Sequence, residues 1–455
     1  MKVNRRAFMT GLGSGAALEL MASRQFGVAD VAAQPAAAGP IDVNALRDRA
    51  NADGEFRVSA RYWNARLRVA IGDSGFQMSV SDGQIDAIGA DTAAASTDVT
   101  IAGPLQAWRE GFGLRGLTVT GDNVAHVWPY NSVIYRLATL VREALGKVRT
   151  ESVGEDVPRQ FDTAVGRYVY VRIQGVQYRI HYEEAGRGLP IVLQHTAGAD
   201  GREWRFMLED RELQKRFRMI AYDLPYHGRS MPPSLVRWWA QDYRLTKELL
   251  LDTVVAIAKA LDADGGIYMG VALGGYLALD LALYRPDAFR AVIGVNSGAG
   301  GGATNRAAAM ADNQAFLHPR VFNTLRIAMA NYGNTAPDAP EWSRREVQWI
   351  YNQSAPGAFG GDMNYYRIEH DLTNGQARGI DTSKVEVHLL SGEYAANNGP
   401  TGAAAMASQI KGATYGVIGG GNYHVVTDDY PKFRKAVVPV LNGIFDRTGG
   451  HRRKA

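Results

Sequence analysis

The sequence contains no cysteine. That absence excludes a disulfide framework, a thiolate nucleophile, cysteine-ligated zinc and iron–sulfur clusters. A long apolar run is missing as well. The Gly/Ala/Leu stretch after Met9 is interrupted by Glu19 and falls short of the roughly 20 residues that a membrane span needs. Charge of one sign is scarce in excess: 50 Lys and Arg against 46 Asp and Glu leave +4, too little to argue for a nucleic-acid partner. What is present is ordinary for a globular chain of 455 residues, 46% hydrophobic and 21% charged, a length that suggests two or three domains.

Residues 1–40 read as an address followed by a linker. Asn4-Arg-Arg-Ala-Phe-Met9 precedes a short apolar stretch and then Ala/Pro-rich sequence through Pro40. Arg5 and Arg6, with Phe8 two places on, resemble a twin-arginine export signal. The resemblance implies the twin-arginine machinery as a partner during secretion, and a periplasmic or secreted protein in a bacterium. A small α+β domain is expected over 41–150. Residues 56–70 alternate apolar and polar side chains as a half-buried strand does, and a hairpin turns at Ser81-Asp82-Gly83. Asp98–Ile101 and Leu117–Asp122 are further strands, and Leu105–Phe112 and Tyr130–Leu145 have helical spacing. This order resembles the sterol-carrier, or lipid-transfer, fold, which implies a tunnel for an acyl chain; a filled α+β packing domain is the alternative.

From about residue 167 short apolar strands alternate with helices, the mark of an α/β domain, here 151–455. Strands are expected at Tyr168–Ile173, Tyr178–Tyr182, Ile191–Gln194, Met219–Tyr222, Gly266–Met269, Ala291–Val295, Val385–Leu390 and Tyr415–Ile418, and helices at Arg244–Leu261 and Leu273–Tyr284. Four local motifs fall in order along them: Leu193-Gln-His-Thr-Ala-Gly198, Tyr222-Asp-Leu-Pro-Tyr-His-Gly-Arg-Ser230, Gly270-Val-Ala-Leu-Gly-Gly275 and Gly421-Asn-Tyr-His424. Together they resemble the α/β-hydrolase family. The resemblance implies a mostly parallel eight-stranded sheet with a helical cap inserted at about 300–375. It also implies a nucleophile elbow centred on position 272 and oxyanion-hole amides at Ala197 and Leu273. His195 and Thr196 would face the pocket, and His424 would be the catalytic histidine.

Two positions depart from that family. The elbow motif carries a nucleophilic serine, and here it is Ala272. The acid after the seventh strand falls on Ala395, and Asn296-Ser297 offers no carboxylate after the sixth. Glu393 and Asp428 are the nearby carboxylates in sequence. Removing a triad serine costs about a millionfold in turnover, so ester hydrolysis by acyl transfer is not available. Three readings stay open. The chain binds a hydrophobic, carbonyl-bearing small molecule and transforms it by a serine-independent route with His424 as general base; or it is a catalytically silent binding protein; or it is an ester or lactone hydrolase inactivated at position 272. No cofactor and no metal are expected. Glu369-His370-Asp371 is read as a solvated cap segment, because adjacent residues do not converge on one ion. Asp223 and His227 are read as holding the loop after the fourth strand. Trp204, Trp238, Trp239, Trp342 and Trp349 are expected at the cap–core interface, and Gly298 to Gly302 as a hinge into the cap.

Overall fold

The structure is a computed structural model that describes residues 41–91, 96–111, 113–122, 126–127, 130–146, 161–300, 327–328, 331–336, 338–353, 355, 357–395 and 399–451. The segments expected to form an export signal, the hinge beyond Gly300 and the first part of the cap lie outside the described residues. Among the described residues no helix is long and apolar enough to cross a membrane.

The small domain opens with helices α1 (Val43–Ala52) and α2 (Gly54–Ser59). Each starts at an aspartate that accepts main-chain amides: Asp42 from Asn44 and Ala45, Asp53 from Phe56. The strand expected over 56–70 is therefore only half right. Phe56 and Ala60 are both buried while Val58 between them is exposed, the i, i+4 burial of a helix and not strand alternation. The strand proper is β1 (Ala65–Ile71), followed by β2 (Ser74–Ser81), β3 (Gln84–Ala90), β4 (Val99–Gly103), helix α3 (Leu105–Glu110), β5 (Thr118–Gly121) and helix α4 (Asn131–Ala144). The five strands order as β3-β2-β1-β4-β5, with β1 parallel to β4. Phe56, Trp63, Trp108, Ile134 and Leu137 fill the core beneath. Arg142 of α4 is buried there without a carboxylate; its guanidinium donates to the carbonyls of Ala107, Trp108, Gly113 and Arg115 and so fastens the α3–β5 loop.

The large domain is built on an eight-stranded sheet. Its strands are β6 (Val165–Ile173), β7 (Val176–Gly186), β8 (Leu189–Gln194), β9 (Phe217–Tyr222), β10 (Ile267–Val271), β11 (Ala291–Val295), β12 (Glu386–Gly392) and β13 (Thr414–Ile418). They order as β13-β12-β11-β10-β8-β9-β7-β6. The first pair is an antiparallel hairpin, β7 pairs antiparallel to β9, and the rest run parallel. β8, β10 and β11 are buried at every residue, which is why they read as unbroken apolar runs. Helices α5 (Lys247–Ala260) and α6 (Leu273–Tyr284) pack on the sheet, and the loops at the C-terminal ends of β8, β10, β11 and β13 gather at one edge.

The cap contributes α7 (Glu341–Asn352), α8 (Ala358–Asn364) and a π-helical turn, Tyr365–Glu369. Here two expectations fail. His370 is fully buried rather than solvated: its Nδ1 donates to Asp280 of α6 at 2.9 Å and its Nε2 to the Gly298 carbonyl at 3.0 Å. Tyr365 donates to the same Asp280 oxygen at 2.7 Å, and Tyr276 stacks on the His370 ring. The neighbouring Glu369 turns away to accept from the Lys247 amide and Asn364. Of the tryptophans only Trp342 is seen at the cap–core interface among the described residues, edge-on to Phe206 with ring centres 5.8 Å apart. Trp204 is packed in the core against Phe433, while Trp239 and Trp349 are 68% and 61% exposed. The polar Asp280–His370–Tyr365 cluster fastens this segment instead.

Removing the acceptor of a buried hydrogen-bonded cluster leaves its donors unsatisfied, here His370 Nδ1 and the Tyr365 hydroxyl. Asp280→Ala should therefore destabilise the fold by about 2–5 kcal/mol, read from the urea unfolding midpoint.

Candidate active site

The turn from β10 into α6 is tightly packed. A Cβ added to Gly270 would lie 2.4 Å from the Gly274 carbonyl carbon, one on Gly274 would lie 2.7 Å from the Gln194 carbonyl oxygen, and one on Gly275 would lie 2.4 Å from the Val295 oxygen. Strand, helix and both flanking strands approach one another closely enough that backbone atoms are among the nearest neighbours at each glycine. Between the glycines Ala272 sits at φ 52° and ψ −103°, a conformation that a side chain rarely adopts and that its surroundings impose. Its amide donates to Val295 O at 2.9 Å, and it is completely buried. The strained elbow is intact around a methyl group.

The loop after β8 is held from two sides by carboxylates. The Thr196 amide donates to Glu203 Oε2 at 2.7 Å and the Gly198 amide to Asp362 Oδ2 at 2.7 Å. Ala197 lies between them, and Leu273 opens α6; among the described residues neither amide donates to a backbone carbonyl in another element. Leu273 stands in the first turn of α6, whose amides have no partner within the helix and can meet an oxygen. Asp362 also accepts from His227 Nε2 at 2.9 Å and Tyr243 at 3.2 Å. Burial alone pushes the His227 imidazole down, but the Asp362 carboxylate outweighs it and holds the ring above its ordinary range.

His195 is spent on structure. Its Nδ1 donates to the Thr196 carbonyl at 2.7 Å and its Nε2 accepts from the Leu224 amide at 3.1 Å, while burial and the neighbouring His227 charge lower its affinity for a second proton. The Thr196 hydroxyl hydrogen-bonds the buried phenols of Tyr351 and Tyr423. Asp223 accepts from His181, Gly201 and Arg229, bonds that outweigh its burial and keep it ionised; with them it shapes the β9 loop.

His424 follows β13 in a loop stapled from below by Asn296, the residue after β11. Asn296 donates to the carbonyls of Asn422 and Tyr423 and accepts from the Gly392 amide. It thereby ties the β12 and β13 loops together. The His424 ring is 1% exposed, edged by Tyr351 and Tyr423. Its Nδ1 lies 3.8 Å from Glu203 Oε1, and its Nε2 meets Asn331 Oδ1 at 3.1 Å. The Asn331 amide nitrogen donates to Ile327 O, which fixes the oxygen toward the ring.

Of the two carboxylates close to His424 in sequence, Glu393 accepts from the Gly420 amide at the surface. Asp428 is buried, its Oδ2 taken by the Ala336 amide at 2.5 Å. The carboxylate that faces His424 is Glu203, from the short turn Gly201–Trp204 after β8. Sequence reasoning missed it because Glu203 stands in the turn after β8, far along the chain from His424 and away from the ends of the sixth and seventh strands where such an acid is expected. Asn331 and Asp362 were missed for a different reason: they belong to the cap, whose path the sequence does not fix. Ala395 is buried beside a cavity of about 610 Å³, also lined by Tyr276, Gly298, Ala299, Pro400 and Met406. Among the described residues no group of histidine and carboxylate side chains would hold a metal ion.

A sequence profile described as the alpha/beta hydrolase fold matches residues 190–345. The chain superposes on a thermophilic esterase from Thermogutta terrifontis with a TM-score of 0.53 at 17% identity, over 61% of this chain and 99% of that one. This chain has the alpha/beta hydrolase fold. Within the fold, it is 30% identical over 245 residues to epoxide hydrolase 4 of Homo sapiens, covering 45% of this chain and 60% of that protein. It is 29% identical over 141 residues to bifunctional epoxide hydrolase 2 of Sus scrofa, covering 31% of this chain and 24% of that one. The chain thus spans less than two thirds of the length of these relatives.

Burial pushes Asp428 up to about 7 from its ordinary 3.8. Below about pH 4 folded and unfolded chains both hold this proton; between about pH 4 and 7 only the folded chain does. Stability from this group therefore falls as pH rises through that window, and the cost persists above it. Asp428→Asn keeps the acceptor for Ala336 and removes the charge. Its urea midpoint should change less than the parent's between about pH 5 and 8 and exceed it at the higher pH.

Proposed function

We propose that this chain binds a hydrophobic, carbonyl-bearing small molecule between elbow and cap and moves a proton on it with His424, without a covalent intermediate on the elbow. The observation that carries the reading is the Glu203–His424 pair. A buried carboxylate stands at the Nδ1 side of the one histidine kept at the catalytic position, while the elbow keeps its strained turn and loses its nucleophile. A carboxylate there orients the imidazole and stabilises it when protonated. The amides of Ala197 and Leu273 are suited to an oxyanion that forms as a C–H or O–H proton leaves. A cavity of about 610 Å³ beside Ala395, lined by Tyr276, Ala299 and Met406 together with Thr401 and Gln409, is large enough for a small molecule of mixed polarity.

The matched relatives are named epoxide hydrolases, so epoxides belong in the substrate panel beside esters, lactones and β-diketones. On the substrate that the parent turns over, His424→Ala should abolish turnover. Glu203→Gln should lower kcat by about 10–100-fold with little change in KM, and Ala272→Ser should leave the rate unchanged or lower. Tight binding with no turnover across the panel would establish the silent binding protein instead. A gain of about 100-fold or more in nitrophenyl ester hydrolysis by Ala272→Ser would identify a hydrolase missing only its serine.

The same reading has the chain exported by the twin-arginine machinery, on the strength of Arg5, Arg6 and Phe8. Replacing both arginines by lysine should retain the full-length chain in the cytoplasmic fraction of a bacterial host; unchanged export would sink this part.

A further inference from the structure

The nitrogen of His424 that a ligand must meet is covered. Glu203 lies on the Nδ1 side, so a proton is exchanged with a ligand through Nε2, and Nε2 is occupied by Asn331 Oδ1. Asn331 begins the strip 331–336, which is held from both sides. On the side of the histidine, the Thr335 carbonyl accepts from Asn422 at 2.8 Å and the Ala336 amide donates to Asp428. On the other side stands the small domain. Gly333 is pressed on Tyr135 of α4, where an added Cβ would lie 2.8 Å from the ring, and the gap left between the two domains here is only about 10 Å³.

Tyr332 connects the strip to helix α7. Its hydroxyl donates to Glu341 at 2.7 Å, and the guanidinium groups of Arg344 and Arg345 each stand 4.6 Å from its ring centre. Arg345 is in turn fixed from the small domain by an ion pair with Glu55 of α2, a residue that also faces Arg136 at 3.4 Å. A chain of direct contacts therefore runs from Glu55 through Arg345 and Tyr332 to Asn331 and the His424 ring.

We infer that the small domain holds a gate over His424: the Glu55–Arg345 pair keeps strip 331–336 in place with Asn331 on Nε2, and a ligand reaches the histidine when the strip yields. This concerns access to His424 and holds whether or not turnover follows. The pair is partly exposed, 37% at Arg345 and 25% at Glu55, so its worth is modest and its loss loosens the strip without unfolding it.

The probe is diethyl pyrocarbonate, which ethoxycarbonylates a free imidazole nitrogen, followed by peptide mass spectrometry of the full chain. Glu55→Gln and Arg345→Met should each raise the rate of His424 modification by roughly fivefold, which corresponds to about 1 kcal/mol. Asn331→Ala should raise it at least as much. His195, with both nitrogens bonded to main chain, should stay at the parent's rate in all three. Hydrogen exchange should quicken at amides 331–336 in the two ion-pair variants and stay unchanged in the β10–α6 segment. A parent-like His424 rate in Glu55→Gln overturns the inference, as does an equal rise at His195 and His424, which would mean general loosening.

Discussion

Backbone-to-backbone contact at the turn from β10 into α6 sets the geometry of everything around it. Gly270, Gly274 and Gly275 let strand, helix and the ends of β8 and β11 approach until any Cβ would collide. With those distances fixed, residue 272 has one conformation open to it, at positive φ, whatever side chain it carries. The loops after β8 and β11 are thereby brought beside the turn, and Asn296 at the end of β11 ties in the loop after β13. The alanine in that turn carries no nucleophilic group, while the geometry of the turn is kept.

Buried carboxylates then position the loops that the sheet only brings near. Glu203 and Asp362 grip the amides on either side of Ala197, and Glu203 also stands before His424. Asp362 and His370 belong to the cap, while their partners His227 and Asp280 belong to the core, so two buried Asp–His contacts cross the cap–core boundary in opposite senses. A polar pair in a dry interior is stable only while both members stay in register, so such contacts specify one docked position of the cap more sharply than apolar packing does. Asn296 does the same for the β12 and β13 loops with an uncharged side chain.

The large domain was legible in the sequence to within a few residues at most strands, since fully buried strands read as short apolar runs and the motif glycines mark the turns between them. The small domain was less so. In residues 56–60 alternation and helical spacing coincide over one turn, and only burial of Phe56 and Ala60 on one side separates them. The cap was hardest. Glu369-His370-Asp371 looks like a solvated run in one dimension, yet His370 is enclosed by residues from positions 276, 280, 298 and 365, a neighbourhood that no local pattern encodes.

By itself the sequence determined which chemistries are missing, the succession of strands along the chain and the place of His424 after the last one. These follow from residue type and local spacing, which act over a few neighbours. Tertiary structure decided which carboxylate faces that histidine, what covers its other nitrogen and why the small domain bears on it. Glu203 and Asn331 lie more than 200 and 90 residues before His424. Contacts at that separation exist only once the chain has folded, because burial and hydrogen-bond satisfaction choose among side chains that are equivalent in the unfolded state.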